Sequence, residues 1–128
     1  MAISAIITRK YTSGSDVISQ DTTYTGSGRV DIVDETVPNG SDNAVSWAVD
    51  VSQVKAIYIH STRTVTIETN SSSAADDTLA VTANVPYIWT NDMVDSFAFG
   101  TDVTSLFVTN ASGQSATFNI RCILDVTP

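Results

Sequence analysis

Lys55-Ala56-Ile57-Tyr58-Ile59-His60-Ser61-Thr62-Arg63-Thr64-Val65-Thr66-Ile67-Glu68-Thr69 holds two runs with β-branched apolar residues at every second position. Side chains alternate across a strand, so Ile57 and Ile59 share one face, as do Val65 and Ile67. The short Ser61-Thr62-Arg63 link predicts that the two runs form an antiparallel hairpin. The same reading extends upstream. Residues 44–50 put Val45, Trp47 and Val49 on one face, and Asn39-Gly40 before them supplies the positive φ of a tight reversal. Residues 22–33 form a strand that Gly26 and Gly28 interrupt with a bulge or bend, after which Val30 and Ile32 face together. Residues 3–8 give a first strand, whereas residues 11–21, rich in Ser, Thr, Gly and Asp, read as a loop.

Downstream, Asn70-Ser71-Ser72-Ser73-Ala74-Ala75-Asp76-Asp77 reads as a surface loop. Strands follow at 78–81 and 86–90, with Pro86 marking a strand start or an edge. Residues 91–102 are irregular. Residues 105–109 and 116–125 predict a last hairpin that brings Leu106 and Val108 onto one buried face with Phe118, Ile120, Cys122 and Leu124. One helical turn is expected at 50–54, capped by Asp50. Strand signals thus recur about every ten residues, which predicts an all-β, antiparallel β-sandwich or jelly-roll-like fold of about eight or nine strands. Residues 1–128 form a single domain on this reading, with 1–10 a first strand or an N-terminal arm.

Composition bounds the function. The chain has 128 residues and a formal net charge of −8, with six Lys and Arg against fourteen Asp and Glu. A nucleic-acid interface needs a basic face to neutralise phosphates, so nucleic acid is not an expected partner. Anionic membranes are disfavoured for the same reason, and no apolar run is long enough to span a bilayer. The apolar start, Met1 to Ile7, lacks a basic leader and is followed by Arg9-Lys10, unlike an export signal. The single Cys122 allows no internal disulfide and sits in an apolar run, as a buried small hydrophobe would.

Catalytic and ligand chemistry finds few candidates. His60 is the only histidine, and its neighbour Ser61 points to the opposite face of a strand, so no Ser–His pair is implied. One His and one Cys do not suffice for structural zinc. Gly26-Ser27-Gly28 lacks the third glycine and the helix of a phosphate loop. Acids gather at Asp31, Asp34 and Glu35, at Asp76 and Asp77, and at Asp92 and Asp95 beside Asn91. Calcium takes oxygens from such loops, but no EF-hand spacing is present and acidic loops ordinarily serve solubility. A carboxylate-pair glycosidase would need a groove-forming scaffold. No enzyme and no cofactor is expected. Tyr87 and Trp89 are candidates for stacking on a sugar, while Trp47 between Val45 and Val49 reads as core.

Asp102-Val103-Thr104-Ser105-Leu106-Phe107-Val108-Thr109-Asn110-Ala111-Ser112-Gly113, then Ala116-Thr117-Phe118-Asn119-Ile120-Arg121 and the ending Leu124-Asp125-Val126-Thr127-Pro128, resemble small β-rich structural proteins of tailed bacteriophages. So does Asp77-Thr78-Leu79-Ala80-Val81-Thr82-Ala83-Asn84-Val85-Pro86-Tyr87-Ile88-Trp89. The resemblance runs over residues 45–128 and carries no functional motif to transfer. It implies a virion component, most like a capsid decoration (cement) protein. That protein would be made in the host cytoplasm and placed on the outer capsid surface. Its partners would be the major capsid protein and its own copies, as a homotrimer. A carbohydrate- or receptor-binding module and another head or tail subunit are the alternatives. A decoration protein needs surfaces and strand edges. Those expected here are the segment with Ala2, Ile3, Ile6 and Ile7, which could add a strand to a neighbour's sheet, and the 91–102 loop with Phe97 and Phe99.

Overall fold

The computed structural model describes residues 2–126. Eleven strands run in chain order: β1 (Ile3–Ser13), β2 (Asp16–Gly26), β3 (Gly28–Arg29), β4 (Ile32–Val37), β5 (Gly40–Val45), β6 (Val54–Ser61), β7 (Val65–Thr69), β8 (Thr78–Val81), β9 (Tyr87–Thr90), β10 (Leu106–Asn110) and β11 (Ala116–Leu124). A single 3-10 turn, Val51–Gln53, is capped by Asp50, whose carboxylate accepts from the Ser52 N–H. All pairing is antiparallel. Strands β5-β10-β7-β8 form one sheet and β3-β11-β6-β9 the other, with β4 also paired to β11. The two sheets pack face to face as a β-sandwich, and β1 with β2 forms a third, two-stranded sheet.

The inward positions are those the alternation assigns. Ile57, Ile59, Val65, Ile67, Leu106, Val108, Phe118, Ile120 and Cys122 all lie in one buried cluster, with Trp47 and Val49 closing one end. Burial and the nearby Asp31 carboxylate push the Cys122 thiol up to about 12, so it is a packed apolar group and not a nucleophile.

The two expected hairpins, however, are not hairpins. β6 pairs with β11 and β9, whereas β7 pairs with β10 and β8. The reversal at Thr62 therefore carries the chain from one sheet to the other. The same holds at Asn39-Gly40, between β4 and β5, and at Ser112, between β10 and β11. Packed sheets lie about 10 Å apart, a gap that two or three extended residues can bridge. A short link is thus as compatible with an arch across the core as with a hairpin.

The true partners are nested. β4 pairs with β11, β5 with β10, β6 with β9 and β7 with β8. The chain is a long two-stranded ribbon closed at residues 70–77, then rolled so that β11 meets β6 and β10 meets β7. Four buried polar side chains, Ser61, Thr69, Thr90 and Asn110, each end a strand. Each bonds into the segment that follows: the Ser61 hydroxyl donates to Arg63 O (2.6 Å), Thr69 accepts from the Asp77 N–H (3.0 Å), the Thr90 hydroxyl donates to Asp92 (2.6 Å), and the Asn110 amide donates to Gln114 O (2.7 Å). Asn110 also donates to Val37 O (3.0 Å), which ties the two neighbouring arches together.

The ribbon's closure rests on Asn70. Its backbone is left-handed (φ 69°), a conformation that Asn tolerates better than other side-chain-bearing residues. Its amide donates to Asp76 (2.7 Å) and Asp102 O (2.8 Å), and its Oδ1 accepts from the Thr104 N–H (2.7 Å). Asn70→Ala loses these bonds and keeps an unfavourable φ. It should lower unfolding free energy by about 2–4 kcal/mol. Asn70→Gly loses the bonds but relieves the backbone, and should retain about 1 kcal/mol more than Asn70→Ala. Denaturant titration of the two variants measures both.

Candidate interaction surface

β1 and β2 pair without a break from Ile3↔Gly26 to Ser13↔Asp16. Residues 11–21, expected as a loop, are the far end of this hairpin. The signal was Gly14-Ser15: two residues with a leading glycine at positive φ (58°) make the tight turn that matches strand twist. Serine and threonine masked it, because the distal strands bury nothing and so carry no apolar alternation.

Pairing places Ile3, Ala5, Ile7, Arg9 and Tyr11 on one face, with Tyr24, Thr22, Gln20 and Ile18 across from the last four of them. The base of this face sits on the outer surface of the β3-β11-β6-β9 sheet, where Ile7, Tyr24 and Ala56 are buried together against Ile88. Two contacts fix that seat. The Tyr24 hydroxyl donates to both Asp92 oxygens (3.1 and 3.3 Å). Gly26 lies against β11 so closely that a Cβ would come within 2.1 Å of Leu124 O.

Beyond Ile7 the hairpin leaves the body. Both faces are exposed from Thr8 to Asp21, a span of roughly 20 Å at the usual strand rise. Tyr11 (57% exposed) and Ile18 (66%) continue the seated face; Ile6 (65%) and Val17 (53%) lie on the other. Among the described residues, β1 and β2 pair only with each other, so each offers a free outer edge.

Beside the β1 edge runs a groove of about 300 Å³ lined by Ala5, Ile6, Ile7, Tyr58, Arg121 and Ile123. It continues over Tyr58 and Arg121 into a second hollow of about 390 Å³ with Asp34, His60 and Asn119. The outer face of β6 and β11 is thus half covered by the chain's own hairpin and half open.

The sequence-derived candidates divide accordingly. Ile3, Ile6 and Ile7 belong to β1, with Ala2 exposed just before it; Ile7 is spent on the seat and Ile6 is free. Phe99, expected as an exposed anchor, is 1% exposed and meets Trp47 edge-on, with ring centroids 6.4 Å apart. Phe97 is half-buried and stacks on Trp89 at 4.9 Å. The 91–102 segment is therefore pinned to its own core: Trp89 Nε1 donates to Asp95 O (2.8 Å) and the Ala98 N–H donates to Tyr87 Oη (3.0 Å). Burial raises the Tyr87 phenol above its ordinary value. Tyr87 and Trp89 are both half-buried, and one face of Trp89 is already taken.

His60 lies on the open outer face, while Ser61 is buried with its hydroxyl on Arg63 O. The acid clusters act as acceptors for the fold. Asp31 takes the Cys122 N–H (3.1 Å) and pairs with Arg29 (2.8 Å), and Asp77 takes the Gly100 and Thr101 N–H groups (3.0 and 3.1 Å). No three His, Cys, Asp or Glu side chains converge as metal ligands among the described residues. The chain matches no protein-family model, no curated protein and no solved structure.

Gly26→Ala should unseat the hairpin at a cost of about 3 kcal/mol, because the blocking atom is backbone and not a flexible side chain. Limited proteolysis in the 8–21 segment, faster than in the wild type, is the readout. Asp92 gives a pH signature. Donation from Thr90, then from Tyr24, holds its carboxyl below the ordinary 3.8. A lowered folded-state pKa stabilises above the unfolded value and is lost as pH falls through the folded one. The thermal-stability advantage of the wild type over Asp92→Asn should therefore be full above pH 3.8 and fade below it.

Proposed function

We propose that this protein is a non-enzymatic structural component of a bacteriophage particle. On this reading it is a decoration protein that binds the major capsid protein on the outer capsid surface, as a homotrimer, and stabilises the shell. The observation that carries the reading is the combination of a rolled ribbon with a projecting arm. Numbered without the arm, and with β3 and β4 counted together, the eight sandwich strands lie in the orders 1-8-3-6 and 2-7-4-5. This order is compatible with a jelly roll, an architecture shared by viral capsid and lectin domains, and so supports the reading. Fold alone does not assign function. The arm adds the second element: a preformed hairpin with exposed Ile6, Tyr11, Val17 and Ile18 and two free edges, on a rigid support. Such an edge suits strand addition to a neighbouring protein. The stretches that resemble phage structural proteins fall on β8–β9 and β10–β11, within the rolled ribbon.

A lectin-like role is the second reading, favoured only by the same strand order. It would use Tyr87 and Trp89, whose half-burial and stacking on Phe97 leave little open ring surface. Glycan-dependent change in tryptophan fluorescence would support it.

The test of the first reading uses expanded, undecorated shells of the capsid protein encoded in the same genome. Saturable binding and a rise in the temperature at which shells come apart are expected. Shells that neither bind the chain nor gain stability would overturn the proposal.

A further inference from the structure

We propose that the projecting hairpin of one copy docks, head to tail, on the open half of the outer β6–β11 face of a second copy. Three observations converge on that occupant. The first is continuity. The covered half of this face already holds a β-hairpin, through Ile7 and Tyr24 on Ala56, and the open half extends along the same strand pair through Tyr58 and His60 on β6 and Arg121 and Asn119 on β11. The chain's own tip cannot reach it, because Gly26 and Tyr24 fix where the hairpin leaves the body.

The second is the pair of matched, unsatisfied features. The tip presents Tyr11 and Ile18 side by side across the strands, both exposed. The groove presents Ala5, Ile6 and Ile123 beside the unpaired β1 edge. An incoming strand would satisfy that edge and cover the apolar lining together.

The third is charge. The hairpin carries Arg9, Lys10, Asp16 and Asp21, which cancel, so the whole −8 of the chain lies elsewhere. Two bodies of this kind repel when they meet face to face, whereas a neutral arm meets a body without that cost. Arg121 lines the groove and Asp16 is at the tip, so these two signs agree; the groove's other cation, Arg29, is already paired with Asp31. Asp34 and His60 are the other titratable groups facing the open half, beside the Tyr58 hydroxyl.

Such a contact uses two different surfaces, tip and groove, and is heterologous. Contacts of this kind close into a ring when the rotation between copies closes and run on as a filament when it does not; a ring of three would place three copies around one axis. The inference rests on the self-association in the reading above and not on the shell. A chain that forms rings yet ignores shells would sink the shell role alone.

The test is sedimentation of the full chain with Ile18→Glu in the tip and Tyr58→Glu in the groove. Unchanged far-UV circular dichroism certifies the fold of each, and His60→Glu replaces Tyr58→Glu if that variant unfolds. The wild type should sediment as an oligomer, and each variant should return to the 13.6 kDa of one chain. Mixing the two variants should restore a species of twice that mass, because one intact tip then meets one intact groove. Variants that keep the wild-type mass would overturn the proposal. So would a monomeric wild type whose binding to shells is lost in Ile18→Glu, which would assign the hairpin to the capsid protein instead.

Discussion

The sandwich depends on where the ribbon closes. Asn70 turns the chain with a left-handed backbone and bonds to Asp76, to the Asp102 carbonyl and to Thr104, so β7 and β8 come together. With that pair set, each outer pair follows in order: β6 with β9, β5 with β10, β4 with β11. β11 is the last strand and the most heavily used, since it pairs with β6 on one edge and with β3 and β4 on the other. The break between β3 and β4 is filled by a side chain. Asp31 accepts the Cys122 N–H that an unbroken strand would have taken, so no ladder donor is left buried without a partner there.

Rolling a ribbon means changing sheets repeatedly, and each change exposes backbone at a buried corner. Ser61, Thr69, Thr90 and Asn110 answer this. Each is buried at the end of its strand and spends its polar atoms on the segment that follows. After Ser61, Thr90 and Asn110 that segment crosses to the other sheet, and after Thr69 it closes the ribbon back to β8 in the same sheet. A buried polar side chain is costly unless bonded, and no buried side-chain nitrogen or oxygen lacks a partner among the described residues. These residues specify the corners where apolar packing cannot, because Val and Ile decide only which face points inward.

That division explains what could be read in the sequence. Alternation located most of the sandwich strands and gave the inward sets Ile57 and Ile59, Val65 and Ile67, and Leu106 and Val108, because burial of one face is a local property of period two. Pairing is not local. Ser61-Thr62-Arg63 is as short as a hairpin loop, yet it spans the core, and nothing within the link distinguishes the two outcomes. The distal hairpin was illegible for the opposite reason. Its strands bury nothing, so Tyr11, Val17 and Ile18 sit in a Ser- and Thr-rich stretch without pattern, and only Gly14-Ser15 marked the turn. Phe97 and Phe99 misled because an irregular segment with two aromatic residues reads equally as an anchor for a partner or for its own core.

The aromatic segment and the hairpin prove to be parts of one device. Phe97 stacks on Trp89 and tilts against Phe99, which in turn meets Trp47 edge-on, and this fixes residues 91–102 against the sandwich. Asp92 lies at the start of that segment, where it takes the Thr90 hydroxyl from the β9 corner and the Tyr24 hydroxyl from the hairpin. The arm is therefore aimed by the core, through a corner residue and one carboxylate. Aim matters energetically. A flexible loop of the same composition would lose backbone freedom of about 1–2 kcal/mol per ordered residue on docking, whereas a seated hairpin has met that cost during folding. Exposed Tyr11 and Ile18 are then placed where their burial on a partner is gain with little ordering cost. On the proposed reading, this is the physical sense in which a rolled β-sandwich would work through an edge and a projecting face.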